Sequence, residues 1–189
     1  MRIGWRCCTP YGGPEVGKPA VDIQVDDATG RWFVDGLPMI LVPQHFFLNN
    51  HFAVEAELGA ERLARILAPA GRRSAFTWCE HEADEHDFSG EQVFQHYMRR
   101  LSQRGWGQFE VIELDSGKGC ATVHVRHSVF VTGRPEKARR KVCSMFAPWI
   151  AGSLEFVAQR HSIKAWEVHC AAEGEHAHCL FMAAPDESA

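Results

Sequence analysis

The chain has 189 residues, 46% of them apolar, with no apolar run long enough to span a bilayer, so it reads as a globular chain with one sizeable core and no membrane segment. Its formal charge of −4 comes from interspersed residues, which excludes the electrostatic footprint of a nucleic-acid or anionic-membrane binder. The cysteine count is seven, an odd number, and no apolar leader follows Met1; both point to a cytoplasmic chain whose thiols stay reduced.

Residues 1–20 are rich in Gly and Pro and read as a loose arm, in which Cys7 and Cys8 are dispensable. Residues 21–44 read as an N-terminal hairpin extension: VDIQV, a turn over Asp27 to Gly30, then RWFV and an apolar stretch ended by Pro43. A helix is predicted from about His45 to Glu57. A second follows with Leu63, Ile66, Leu67 and Ala70 at helical spacing and Gly71 as its stop, and residues 72–86 read as a further helical stretch. Ser89-Gly-Glu-Gln92 has the capping-box form, ahead of a helix with a Phe94, Tyr97, Met98, Leu101 stripe that Gly105 ends.

Two strands follow, 108–114 and 120–131, joined by an Asp-Ser-Gly-Lys-Gly turn; in the second, Ala121, Val123 and Val125 alternate with polar residues as a half-buried strand does. A long helix is predicted from about Val142 to Gln159, with Phe146, Trp149, Ile150, Ser153, Phe156 and Val157 on its buried face. The chain closes with a hairpin, IKAWEVHC and HCLFMAA. The basic pairs Arg72-Arg73, Arg99-Arg100 and Arg139-Arg140 are short and sit where solvated faces or loops are expected.

The hairpin tip, Glu167 to Cys179, reads EVHCAAEGEHAHC. Cys170 and Cys179 lie on its two arms, within reach of one ion. A structural zinc takes four ligands, and Glu167 and Cys143 complete the set. Residue chemistry leaves three readings open: a metal site, two buried reduced cysteines, or a redox pair. A Glu and a Cys three apart in a flat strand face opposite ways, so a shared ion requires a bulge or strand end between them, and His169, His176 or His178 stands as an alternative to Glu167.

Cys143, then Glu167-Val-His-Cys170, then Gly174-Glu-His-Ala-His-Cys179-Leu-Phe, resembles the C-terminal signature of the 4-vinyl-reductase-type small-molecule-binding domain, also found as the sensory domain of aromatic-responsive activators. The resemblance extends over residues 45–184, through Leu58-Gly59, Ala70-Gly71, Arg104-Gly-Trp-Gly107, His127-Ser128 and Phe146-Ala-Pro-Trp-Ile-Ala-Gly152. Residues 35–50 also look like a stand-alone bacterial subgroup found among genes for the catabolism of small methylated amines. The resemblance implies an α/β (α+β) fold with helices packed on an antiparallel sheet, related to haem-dependent nitric-oxide sensors and vesicle-tethering subunits. It further implies a homodimer, a zinc ion held by Cys143, Glu167, Cys170 and Cys179, and a small hydrophobic or methylated metabolite as partner. With four protein ligands the zinc is structural.

For the ligand pocket the candidates are Phe76, Trp78, Phe94, Tyr97, Trp106, His127, Phe130, Phe146 and Trp149. Relatives that sense phenols carry a Trp after the strand-end Ser; here that position is Val129, which removes an indole donor. The expected function is a non-catalytic sensor or carrier module in small-molecule catabolism. The alternative is an enzyme or enzyme accessory in which His45, His51, His81, Glu82, His86 and His127 supply acid–base chemistry. Against it, the HEADEH run (81–86) lacks the second His of HExxH, because position 85 is Glu.

Overall fold

The structure is a computed structural model that describes residues 21–134 and 138–187. The N-terminal arm, with Cys7 and Cys8, lies outside the described residues.

The extension is a small antiparallel sheet of β1 (Ile23–Asp26), β2 (Arg31–Val34) and β3 (Leu37–Met39), one strand more than the hairpin predicted. The extra strand exists because Asp35 and Gly36 both take positive φ, 51° and 75°, the paired left-handed turn that an Asp-Gly dipeptide supplies at least cost. That turn also anchors the sheet to the helices. Asp35 O lies 2.6 Å from His81 Nε2, and the Asp35 carboxylate lies 2.7 Å from the Arg100 guanidinium.

Helix α1 (Gln44–Leu58) matches expectation. The next helix does not stop at Gly71: α2 runs unbroken from Ala60 to His86, through Pro69 and Gly71. Packing explains the glycine. A Cβ on Gly71 would come within 3.0 Å of the Trp149 ring, and one on Gly152 would sit 2.1 Å from Arg72 O. The two glycines therefore let α2 cross close over α5 (Phe146–Ala158), and a tertiary requirement overrides the helix-stop signal. Ile66, expected on the buried stripe, is exposed.

In α3 (Glu91–Gln103) the Phe94, Tyr97, Met98 and Leu101 stripe is buried as predicted. Its capping box does not form: Gly90 is the N-cap, and no side-chain cap bond is made.

The main sheet has strand order β4-β5-β7-β6, all antiparallel, from β4 (Gln108–Asp115), β5 (Cys120–Arg126), β6 (Ile163–His169) and β7 (Cys179–Pro185). Strand β5 ends five residues before the predicted limit of 131. His127 turns the chain at φ 53°, and Ser128 then caps a short helical turn, α4 (Val129–Thr132), its Oγ accepting from Phe130 N at 3.3 Å. One face of the sheet, with Phe109, Val123, Val125, Ile163, Phe181 and Ala183 buried, packs with Phe94, Met98, Phe146, Ile150 and Leu154 from the helices to form the core.

The basic pairs are less solvated than their sequence suggests. Arg72 binds the buried Glu155 at 2.5 Å, Arg100 is itself buried against Asp35, and Arg140 pairs with Glu55.

Candidate metal centre and aromatic cluster

The last hairpin and the segment before α5 bring four ligand-type side chains together. The bulge required for a shared site is present: the β6–β7 register shifts between Glu167 and His169, which lets Glu167 and Cys170 reach one point. Cys170 follows β6, Cys179 opens β7, and Cys143 enters from the irregular stretch ahead of α5, which starts at Phe146 rather than Val142.

The three sulfurs are separated by 3.9 Å (Cys143–Cys170), 3.7 Å (Cys143–Cys179) and 3.5 Å (Cys170–Cys179). Disulfide sulfurs lie about 2.05 Å apart. Three thiolates at about 2.3 Å from one tetrahedral cation lie about 3.8 Å from each other. The observed spacing excludes a disulfide and suits both co-ligands of one cation and thiols hydrogen-bonded to one another. Glu167 supplies the fourth donor: its Oε2 accepts from Cys143 N at 3.2 Å, while its Oε1 is buried without a hydrogen-bond partner. All four ligand atoms lie within 4.8 Å of one another. A buried carboxylate oxygen facing three thiols, with no donor of its own, fits a cation.

Electrostatics agree. Burial, then the neighbouring Cys170, pushes the Glu167 carboxyl up to about 9. Cys143 is also pushed up, by its thiol contacts with Cys170 and Cys179 and then by burial. Cys179 is held down at about 4 because Cys143 and Cys170 both direct hydrogen bonds at its sulfur, with Ala171 N donating at 3.4 Å. Without a cation the cluster thus disfavours full ionisation: Glu167 is held towards its protonated form, and the coupled thiols share their protons. A divalent ion stabilises the fully ionised set.

The neighbouring histidines pack on one another, His169 and His176 stacked and His178 edge-on to His169. His169 and His176 lie 3.8 Å apart between ring centroids, His124 and His178 4.1 Å, and His169 and His178 5.1 Å. None belongs to the group of four converging donors, in which Glu167 holds the fourth place.

The nine aromatic and histidine candidates separate into groups. Trp106, Phe130, Phe146 and Trp149 form one continuous cluster: Trp106 and Trp149 are edge to face at 4.9 Å, Phe130 and Phe146 lie at 5.2 Å, and Phe146 and Trp149 at 5.4 Å. Trp78 and Tyr97 pack together elsewhere, at 4.9 Å, with Trp78 stacked on His96. Phe94 is fully buried in the core, Phe76 faces Phe156 at 5.4 Å, and His127 is exposed.

Two members of the main cluster were outside the pocket set read from sequence: Phe47, and His51, which was named only as an acid–base candidate. Phe47 meets Trp106 edge-on at 5.1 Å, and His51 lies 5.0 Å from Phe130. Their signal was present in Phe47, His51 and Glu55, each four residues apart on one face of α1. Burial lowers the His51 pKa, opposed by Glu55 at 3.7 Å. Next to this cluster, Ala64, Leu67, Gly71, Met145, Pro148 and Trp149 line a cleft of about 140 Å³ between α2 and the start of α5. A second, open cleft of about 870 Å³ lies against α1 and is bordered by Arg134, Arg139, Arg140 and Lys141.

Of the acid–base residues weighed for an enzyme, His45 is exposed and His81 is engaged with Asp35. Glu82 and His86 meet His96 in a second group of converging ligand-type atoms.

No curated protein matches the chain. Among solved structures, it is similar to the phenol-responsive sensory domain of the transcription activator PoxR with phenol, at 16% identity over 86% of this chain and 84% of that one, with TM-score 0.72. It is also similar to a trafficking protein particle complex subunit 3 from Naegleria fowleri covalently bound to palmitic acid, at 9% identity over 76% of this chain and 95% of that one, with TM-score 0.50. At these identities the likeness establishes a shared fold, in which helices pack on an antiparallel sheet. Among the described residues no helix is long and apolar enough to cross a membrane. A family model described as "Domain of unknown function (DUF5943)" matches residues 17–112, from the N-terminal extension to β4, and the chain belongs to that family.

Proposed function

We propose that the chain is a small-molecule-binding module, a sensor or carrier in bacterial small-molecule catabolism, of the 4-vinyl-reductase type and with a structural zinc. The observation that carries this reading is the closed set of Cys143, Glu167, Cys170 and Cys179. With four protein donors it leaves no open position for water or substrate, so the ion pins the last hairpin to the segment that starts α5. Three thiolates favour zinc over the harder cations.

The fold shared with a phenol-responsive sensory domain supports a small ligand, and the cleft beside Trp149 bounds its size. A volume near 150 Å³ accommodates a single benzene ring, which suits a small apolar or methylated metabolite as the ligand. Of the nine sequence-derived candidates, Trp149 lines this cleft, and Trp106, Phe130 and Phe146 stand behind it. His51, 5.0 Å from Phe130, is a polar group beside those rings. Exposed Ile40, Leu41 and Phe46, 84%, 71% and 57% accessible, support burial of this edge in a homodimer.

Native mass spectrometry of the purified protein tests these elements together. Expected is a dimer with one zinc per chain at the thiol centre and a retained or added small apolar ligand. Bare monomers from zinc-replete medium would overturn the reading.

A further inference from the structure

The HEADEH run fails the HExxH spacing, yet folding gives two of its residues a common focus with a third. Glu82 lies within α2 and is fully buried; His86 is the last residue of α2, one turn later; His96 comes from α3 and is also buried. His96 Nε2 lies 2.7 Å from Glu82 Oε2, and His86 Nε2 lies 3.4 Å from the same oxygen without forming a hydrogen bond. The other carboxylate oxygen, Glu82 Oε1, is buried with no partner. Two imidazole nitrogens thus converge on one carboxylate whose second oxygen accepts no hydrogen bond, with the Arg104 guanidinium near enough to act on it as a charge.

We propose that Glu82, His86 and His96 form a second metal site, for a first-row divalent cation of the kind bound by imidazole and carboxylate, separate from the thiol centre. The donor set is two histidines and one carboxylate, with all three ligand atoms within 4.8 Å of one another. Ligands at about 2.1 Å from a tetrahedral ion are about 3.4 Å apart, so the His86–Glu82 spacing already fits and the His96–Glu82 contact opens by about 0.7 Å.

The surroundings hold the rings in place. Trp78 stacks on His96 at 5.6 Å and 17°, and Phe88 covers His86 at 5.3 Å and meets His96 at 5.1 Å. The His86 side chain is 31% accessible, which gives the ion a route from solvent. One contact must yield. Arg99, exposed on α3, lies 3.5 Å from His96 Nδ1, and coordination through Nε2 puts a proton on Nδ1, so Arg99 turns out to solvent. Three protein ligands leave at least one position for water or an oxygen donor, unlike the closed thiol centre.

Cobalt(II) titration of the metal-free full-length chain, followed by absorbance and by mass, separates the sites. Thiolate-to-cobalt charge transfer reports the cysteine centre; cobalt bound by histidine and carboxylate lacks that band. Expected are two cobalt ions per chain, one with the thiolate band and one without. The His86→Ala variant, changed at a helix end and checked for an unaltered thiolate band, should lose the second ion, its affinity falling by at least about 100-fold. That exceeds the 10–100-fold typical of losing a supporting hydrogen bond. Glu82→Gln should do the same. The proposal is overturned if the parent never takes the ion without the thiolate band, or if His86→Ala keeps it at the parent's affinity, since that ion would then sit elsewhere, such as on the His169 stack. Absence of the thiolate band alone would count against the structural zinc and leave this site standing.

Discussion

The cysteine cluster and the Glu82 cluster place ligand-type groups in the interior by different means. The first sits where two hydrogen-bonded strands turn, its backbone fixed by the β6–β7 ladder and a bulge, and three of its four donors are soft sulfurs. The second spans two helices, α2 and α3, with harder donors, three in number, held by stacked rings. A hairpin can bring thiolates to one point with little help from the rest of the fold. A two-helix site exists only once the helices are packed, so its geometry is a consequence of tertiary structure. The first is therefore expected to contribute to folding, and the second to depend on it.

The largest expected effect follows directly. Replacing Cys170 with Ser removes one thiolate from a closed sphere, and strong chelators remove the ion altogether. Structural zinc contributes roughly 10 to 16 kcal/mol in small isolated domains. This larger core should feel a fraction of that, a fall in melting temperature on the order of 10 °C. Melting curves with and without chelator, beside the variant, check it. An unchanged midpoint after verified metal removal would reverse the proposed contrast between the centres.

Proton linkage gives a second test. In the metal-free protein the Glu167 carboxyl is raised to about 9 and the Cys143 thiol is raised as well, so both lose protons when the cation binds. The sign follows: affinity rises with pH and falls as pH drops, by about tenfold per unit near neutrality for each proton released. Calorimetry in buffers of different ionisation enthalpy counts those protons. The stability of the metal-free fold should change less. Raising Glu167 favours the folded state below about 9 as the more protonated form, so its contribution declines as pH rises from 4.5 towards 9. Cys179, depressed to about 4 from 9.0, contributes in the opposite direction over nearly the same window, and the two largely offset.

A third variant separates the scaffolds. Gly152→Ala places a methyl group 2.1 Å from Arg72 O, forcing α2 away from α5. Overpacking of this kind costs about 1 to 3 kcal/mol. The melting temperature should fall by several degrees while the cation in the hairpin centre is retained, because the β6–β7 ladder and its bulge set the spacing of Glu167, Cys170 and Cys179. The crossing reaches β6 through Glu155, which binds Arg72 and accepts from Ile163 N at 3.0 Å. Loss of that ion would show the two scaffolds to be coupled.

These differences explain what the sequence made legible. Three of the four thiol-centre ligands fall within residues 167–179, and a hairpin keeps sequence neighbours spatial neighbours. The alternation in β5 and the α3 stripe were readable for the same reason, as each depends on one element's own period. Gly71 was misread because its role belongs to Trp149, which lies far along the chain. The capping-box reading of Ser89 failed through a one-residue shift of the helix start to Gly90. His96 gave no sign of meeting Glu82, since only the α2–α3 packing joins them.

The smallest effect is expected at the histidines beside the cysteines. His176 is exposed and His178 partly so, and they pack with His169 and His124, outside the set of converging donors. If Glu167 is the fourth ligand, His176→Ala and His178→Ala keep one zinc per chain and change stability by no more than about 0.5 kcal/mol, as surface substitutions do. Glu167→Gln, by contrast, removes the carboxylate charge and should weaken zinc binding while leaving the stack intact. Elemental analysis after competition with a chelator of known affinity ranks the three variants. A histidine variant that loses zinc more readily than Glu167→Gln would move the fourth place to that imidazole, and imidazole would replace carboxylate as the ligand type the two centres share.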